Sequence, residues 1–505
     1  MGAFEGDELE AELLLTLETA FSRLDGEKVV YTATPEAKIG YDPVVNPEFV
    51  WTLDGEAAGT SSGAKEFALL PRSAPYVVVC SVSDGKQTKT AEVSLPVHNG
   101  VFYVSPDGSN EAPYDSWEKA AKTLDTILAI DHPQDDTRTF TVHFSSGNHS
   151  TCGFNLTTAM AIVGEDGAIF NSGNAPVFSH AGCSISNFVF SGLGFSLNNG
   201  VARDVVVRNR SNQSGDTLVT IRGGVCDGLV MTNCRTTAWN WQYGVSVSGS
   251  ARLSNFQIDN CAGYDKLLAV SGSAVVSNGT IKSSNGVLGG GQGNTREYLI
   301  SAEGGVVSHV MVTDCGDKRD KSSWSSRDGT VRVSGGTVRN CLIVGNRSTD
   351  CAGVNLSGGH LESCTVVVND GDVLHQTYGG TYGSCLNMTG GFATNCVFYS
   401  TEATSGDWNY CRVTGGKIGN CWLSVKGKDT TPAGTGVLVG DDPCFTSRGG
   451  WDYVPAGGSP LIGKGLNQPW MTGATDFAGK KRVCARRVDL GAFEGDAPGL
   501  MLIVR

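Results

Sequence analysis

One six-residue pattern restricts the fold of this chain more than any other feature. It reads apolar, any, Asn or Asp, Cys or apolar, any, Val/Ile/Phe. It recurs as ISNFVF, ARDVVV, CDGLVM, LSNFQI, VSNGTI, VSHVMV, VRNCLI, LESCTV, ATNCVF and IGNCWL. The third position falls at Asn187, Asp204, Gly228, Asn255, Asn278, His309, Asn340, Ser363, Asn395 and Asn420, with spacings of 17, 24, 27, 23, 31, 31, 23, 32 and 25 residues. A period of 20–30 residues marks a solenoid. The alternation inside each unit is that of strands, and the 3.6-residue period of helical repeats is missing. The fold class expected is therefore all-β, a parallel β-helix. Asn once per turn fits a corner, because it tolerates left-handed backbone. Its amide could also bond the amide one coil away, so Asn187, Asn255, Asn278, Asn340, Asn395 and Asn420 are expected to form a structural ladder. Gly-Gly pairs at 223–224, 304–305, 335–336, 358–359, 390–391 and 415–416 closely precede six of the copies. Glycine, 68 of 505 residues, is about twice ordinary usage, as many tight turns require.

Residues 1–97 carry a different pattern. The stretches LLLTLET, KVVYTAT, EFVWTLDGE, YVVVCSVSDG and TAEVSLPV are β-rich and separated by turn signals, as in a small sandwich. Residues 98–137 read as an entry strand, VFYVS, followed by an amphipathic capping helix. Asp115 and Glu118 have capping-box spacing, and Trp117, Ala120, Ala121, Leu124, Ile127 and Leu128 share one helical face. The β-helix proper is expected over 138–440 and a C-terminal cap over 441–505.

Trp51-Thr-Leu-Asp54-Gly55 together with Tyr76-Val-Val-Val-Cys80-Ser-Val-Ser-Asp84-Gly85 resembles the polycystic-kidney-disease type of Ig-like domain. That resemblance implies a Trp buried between two sheets and a spacer role. The remainder resembles the right-handed β-helix proteins of the pectate-lyase-like superfamily, and more narrowly a bacterial surface-protein type. The residues carrying it are the entry Tyr103-Val-Ser-Pro-Asp-Gly-Ser, the GG-x-V-x-N-C repeats, and the terminal block of Gly440-Asp-Asp-Pro-Cys-Phe, Gly458-Ser-Pro-Leu-Ile-Gly-Lys-Gly465, Asp476-Phe-Ala-Gly and Val488-Asp-Leu-Gly-Ala-Phe-Glu494. The superfamily holds lyases, hydrolases, epimerases and non-catalytic adhesins alike. What it implies here is an extracellular or cell-surface location.

Several functions are disfavoured. A net charge of −13 leaves no electrostatic footprint for nucleic acid or an anionic membrane. No apolar run reaches the ~20 residues of a membrane helix. The start lacks a secretory signal, and MGAFEGD at 1–7 repeats LGAFEGD at 490–496, which implies a module cut from a longer tandem chain. The cysteines repeat by slot: Cys341, Cys364, Cys396 and Cys421 directly follow the ladder position, and Cys234, Cys261 and Cys315 lie six residues after it. Phe188, Val205, Leu229, Phe256 and Val310 fill the first slot elsewhere, so it reads as inward and apolar, with free thiols acting as small hydrophobes. No metal-ligand spacing occurs, and no cofactor is expected.

The longer coils place extra residues at 235–243, 286–298, 317–328 and 372–384, at similar offsets from the ladder and hence along one edge. Trp239, Trp241, Tyr243, Arg296, Tyr298, Trp324, Tyr378 and Tyr382 are the candidate ligand-binding residues there, flat rings and planar donors suited to sugars. Trp241, Tyr298, Trp324 and Tyr378 are expected to line one groove. Two readings stay open. The first is a non-catalytic scaffold or adhesin whose partner is a polysaccharide or surface glycan. The second is a polysaccharide lyase or epimerase acting on uronates, which would need calcium carboxylates and a cationic base. Asp314, Asp317, Asp320 and Asp328 would supply the former, and Lys318, Arg319, Lys321, Arg327 and His375 the latter. The Gly-His-Gly of a polygalacturonase-like hydrolase is missing.

Overall fold

The computed structural model describes residues 11–25, 28–70, 75–95, 100–130, 140–151, 153–212, 217–236, 243–284, 298–316, 330–348, 351–368, 383–401, 409–424, 432–483 and 487–495. The chain divides into two compact units, Met1–Cys152 with Leu156–Ala168, and Gly153–Asn155 with Ile169–Arg505.

In the first unit, two antiparallel sheets form from alternating strands. One has Lys28–Ile39 between Leu13–Asp25 and Lys65–Leu69, with Asp42–Pro43 added. The other runs Glu56–Ser61, Phe49–Leu53, Tyr76–Ser83, Thr88–Leu95. Trp51 of the second sheet is fully buried and meets Phe67 of the first edge-on at 5.6 Å. Its indole N–H donates to Ser61 Oγ at 2.8 Å, so burial leaves no polar atom stranded. Further along, Val101–Val104, Phe140–Phe144 and Met160–Gly164 pair in parallel, with Phe102, Val142 and Ile162 pointing inward.

The helix expected from residue 115 is short. Only Leu124–Leu128 is helical, and neither Asp115 nor Glu118 caps it; Thr123 holds the N-cap position without a side-chain bond. The reason is tertiary. Carbonyls of Glu118, Lys119 and Ala120 accept N–H groups from Ser109, Glu111 and Asn110, and Ala121 exchanges bonds with Tyr103 and Ser105. Those carbonyls are committed to the segment 105–111 that follows the entry strand, which competes with a helical ladder.

The second unit is a parallel β-helix. Each coil has three strand faces. On face one the strands Val201–Arg203, Val225–Asp227 and Arg252–Asp259 follow one another in parallel register, and the series continues to Lys417–Gly419. Face two holds Val206–Arg208, Val230–Thr232 and their successors to Trp422–Leu423. Face three runs from Val177–Phe178 to Asn409–Val413. Alternation points every second side chain inward, and in-register stacking makes columns of them. Ala202, Cys226, Leu253, Val276, Val307, Val338, Leu361, Ala393 and Ile418 form one buried column. Burial of each larger aliphatic chain contributes roughly 1.5–3 kcal/mol, which is why a three-residue strand suffices.

The corners are made by backbone that ordinary residues avoid. Asn187, Asp204, Gly228, Asn255, Asn278, His309, Asn340, Ser363, Asn395 and Asn420 all have positive φ, between 47° and 79°. This corner separates faces one and two and turns the next residue inward, so Phe188, Val205, Leu229, Cys341, Cys364, Cys396 and Cys421 are buried in one slot. A further left-handed corner lies five residues on, at Asn209, Asn233, Asn260, Ser283 and Asp314. Cys234, Cys261 and Cys315 follow it and are buried too. The Gly-Gly corner leads from face three into the next coil. Gly359 has φ +69°, and a Cβ on Gly358 would meet the Ser334 carbonyl oxygen at 2.4 Å, so neither position accepts a side chain. Among the described cysteines none is disulfide-bonded, and only Cys444 is exposed.

The cap lies along the side of the C-terminal coils. Its hairpin Phe445–Arg448/Trp451–Pro455 and the irregular GAFEG segment place Val454, Ala492 and Phe493 on Leu342, Val344 and Val367 of face two. Leu461 and Leu490 pack on Val397 and Trp422. Behind them Arg482, fully buried, faces Glu494 at 3.1 Å. Asp476 accepts the N–H of Glu494, and Asp489 accepts those of Gly463 and Gly495.

Candidate functional site

The expected ladder needs correcting in its bonding. The six Asn share one corner, but Asn340, Asn395 and Asn420 do not bond one another. Asn395 donates to the Leu466 carbonyl at 2.8 Å and accepts the Leu466 N–H at 2.7 Å. Asn420 donates to the Lys464 carbonyl at 3.2 Å. Asn340 donates to the Thr475 carbonyl and to His309 Nε2. Ser363 occupies the coil between Asn340 and Asn395, so no continuous amide row exists there. The cap segment 464–475 supplies backbone partners instead. Asn255 donates to Asp227 Oδ1 at 2.7 Å. Amides do stack elsewhere: Asn260 donates to Asn233 at the further corner, and on face three Asn387 donates to Asn355 at 2.7 Å and accepts from Arg412 at 3.2 Å.

The insertion-edge residues Trp239, Trp241, Arg296, Trp324, Tyr378 and Tyr382 lie outside the described residues, as do Asp317, Lys318, Arg319, Asp320, Lys321, Arg327, Asp328 and His375. Tyr243 and Tyr298 are described and occupy one register column with Lys266 between them. Tyr298, expected to line an open groove, is 5% exposed. The Arg332 guanidinium sits 5.3 Å from its ring centre, so its face is already covered. The half-buried Tyr243 lies 4.9 Å under Lys266 Nζ, which is also ion-paired to Glu303. Both rings therefore serve face three as packing.

Face three nonetheless presents an ordered polar surface. One column runs in register through Ser196, Thr220, Ser246, Ala269, Ser301, Arg332, Asn355, Asn387 and Arg412; Thr220, Ala269 and Ser301 are buried, and the other six are partly exposed. The first five are small; the last four are long and capable of planar hydrogen bonding. Neighbouring side chains in such a column are ~4.8 Å apart. Where the residues are small, the surface sinks into a cleft of about 450 Å³, lined by Arg210, Arg222, Ser196, Thr220, Thr236 and Tyr264 among others. Gly194 is part of its wall: a Cβ there would stand 1.7 Å from the Leu218 carbonyl oxygen, so only glycine permits this close approach.

The cleft's polar atoms are held from behind. Arg210 donates from Nη1 to the Gly192 carbonyl at 2.6 Å, and Arg222 from Nη1 to Asn198 Oδ1 at 3.4 Å. Burial raises the pKa of the Tyr264 phenol well above the ordinary value, so it stays protonated at neutral pH and cannot act as a general base there. Among the described residues no group of three or more His, Cys, Asp or Glu is placed to hold a metal ion. No described helix is long and apolar enough to cross a membrane.

No known family model matches the chain, and no curated protein is significantly similar to it.

None of Arg210, Arg222, Thr220 or Tyr264 stands out in the sequence. Arg210, Thr220 and Arg222 belong to one coil, between the corners at Asp204 and Gly228, and only the stacking register adds Ser196 and Tyr264 from other coils.

Proposed function

We propose that the chain is a non-catalytic β-helix scaffold of the pectate-lyase-like type, displayed outside the cell, that binds an extended glycan along face three. The observation that carries this reading is the partly exposed run Arg332, Asn355, Asn387 and Arg412, guanidinium and amide groups in register at strand spacing on face three. A linear sugar chain offers hydroxyls at repeating intervals and suits such a file better than a small ligand does. The front unit, with Trp51 between its sheets, reads as an Ig-like spacer of the polycystic-kidney-disease type.

The test joins binding and turnover on the same polymers. The full chain should be retained on immobilised polysaccharide and should release no unsaturated, ultraviolet-absorbing product, with or without calcium. Absorbance appearing with any uronate polymer would replace the scaffold with a lyase. Arg332→Ala and Asn387→Ala should each weaken retention several-fold if the glycan follows the column.

A further inference from the structure

We infer that the stacked thiols inside the β-helix are sites for a soft, two-coordinate cation of the Cu(I) class, each ion held in line between cysteines of successive coils. One file holds Cys341, Cys364, Cys396 and Cys421, buried behind the corner residues of four consecutive coils. A pair, Cys234 and Cys261, follows the further corner on two consecutive coils, in the register fixed by the bridge between Arg235 and Ala262.

The first ground is the direction of the sulfurs. Cys234 Sγ donates to the Thr232 carbonyl at 3.3 Å and to that of Val207 at 3.7 Å. Cys261 Sγ donates to the equivalent carbonyls, Asp259 at 3.3 Å and Met231 at 3.7 Å. Equal contacts mean one shared rotamer, so one sulfur is the other displaced by a single coil. Cys364 and Cys396 match in the same way, at 3.4 and 3.6 Å in one and 3.3 and 3.5 Å in the other. Successive coils rise ~4.8 Å. With a metal–thiolate bond of ~2.3 Å, two sulfurs opposed across one ion stand about 4.6 Å apart. Coil spacing therefore sets the thiols at the separation a linear sulfur–metal–sulfur unit requires, far beyond the ~2 Å of a disulfide.

The second ground is the ligand set. A single file offers each ion two sulfurs and no third ligand, in keeping with the lack of any described three-ligand cluster. Structural zinc takes four ligands in a tetrahedron. Soft thiolates select Cu(I), whose filled d shell accepts two of them in line. Binding one such ion releases both thiol protons and leaves a single negative charge in the core. Hydrogen bonding from the Cys261 thiol, and then the nearby Arg210 cation, hold the Cys234 thiol below its ordinary pKa despite burial. That cation offsets the charge of the complex.

Two thiols per ion give one ion in the pair and two in the file of four. In the test, the reduced full chain is equilibrated overnight without oxygen with Cu(I) held by a coloured chelator that outcompetes single thiols. Local opening admits the ion on that timescale. Loss of colour and native mass spectrometry should count three ions, with a new ultraviolet thiolate-to-copper band. Ser284 already fills the slot of Cys261 one coil on, so serine is accepted there. Cys261→Ser should remove one ion, and Cys396→Ser should separately remove one, with the circular dichroism unchanged. Cys315 is the control. Its sulfur has the same orientation, 3.2 and 3.6 Å from the Thr313 and Ile281 carbonyls, but Ser284 separates it from Cys261. Cys315→Ser should leave the count at three, and an excess of Zn(II) of about tenfold should displace nothing. No transfer of Cu(I), a count unmoved by Cys261→Ser and Cys396→Ser, a loss on Cys315→Ser, or displacement by Zn(II) would each overturn the site.

Discussion

The corner between faces one and two is built identically along the β-helix and used differently in its two halves. At Asn187, Asn255 and Asn278 it is open to solvent; at Asn340 and Asn395 it is fully buried beneath the cap segment. The backbone is the same throughout, with φ between 52° and 58° at these five residues. What differs is the work of the amide. In the open half it reaches a surface neighbour, as Asn255 does Asp227; in the covered half it fastens residues 464–475 to the coils. Asn is therefore chosen by backbone conformation, and its side chain becomes structural only where another segment covers it.

The largest expected effect lies in the covered half. Asn395→Leu removes both bonds to Leu466 and places a branched residue in left-handed backbone. The stranded Leu466 groups cost about 1–3 kcal/mol and the conformation about 1–2 more. Asn395→Gly keeps the conformation and loses only the bonds, so it should cost roughly 2 kcal/mol. Both are read from denaturant unfolding of the β-helix transition. Similar small costs for Leu and Gly would mean that the cap segment does not depend on this corner.

The comparison can be sharpened with pH. One buried Arg482 faces Asp476, Asp489 and Glu494, and a single guanidinium cannot offset three carboxylates in a dry site. Burial pushes Glu494 up to about 8 against the pull of Arg482, and pushes Asp489 up as well. The folded cap therefore holds a proton that the unfolded chain releases above its ordinary value of 4.5. This contribution is complete below about pH 4.5, declines as pH rises, and is gone above about pH 8. His309 works from the other side: burial lowers its pKa below 6.5, so its contribution is present above that value and fades on acidification. Between pH 6.5 and 8 the His309 contribution is already in place while that of Glu494 is still declining. Hydrogen exchange at Gly463, Gly491 and Gly495, corrected for intrinsic rate, should show protection falling across that window. Amides of the open half, such as Val230 and Gln257, should not follow. Glu494→Gln should flatten the slope; an equal slope in both halves would place the titrating group elsewhere.

How much of this was legible follows the same division. The corner at Asn187 through Asn420 and the buried slot behind it could be read because the backbone imposes the same demand on every coil. The corner five residues later, at Asn209, Asn233, Asn260, Ser283 and Asp314, makes the same backbone demand, but its residue types vary more and the cysteines after it form the plainer repeat. The docking of Leu466 on Asn395 crosses 71 residues and uses backbone atoms, which carry no residue signature. Tyr298 looked like a binding residue because tyrosines beside insertions often are. Its fate depended on Arg332, one coil away, an adjacency set by register rather than by proximity in sequence. The cleft eluded sequence reading for the same reason.

The smallest expected effect is the most discriminating. Asn255→Gly leaves the left-handed backbone at φ 52° accessible and removes an exposed side-chain bond to Asp227. Exposed polar bonds exchange readily with water, so the substitution should change stability by no more than about 0.5 kcal/mol. Asn255→Val, by contrast, forces a β-branched residue into that conformation and should cost about 1–2 kcal/mol. The pair isolates the backbone demand from the amide's own bonding. If Gly and Val prove equally harmful, the amide matters in the open half too, and the two halves of the corner are not different after all. If Gly is silent at 255 but costly at 395, one residue type serves two purposes along one edge, and only the presence of the cap segment tells them apart.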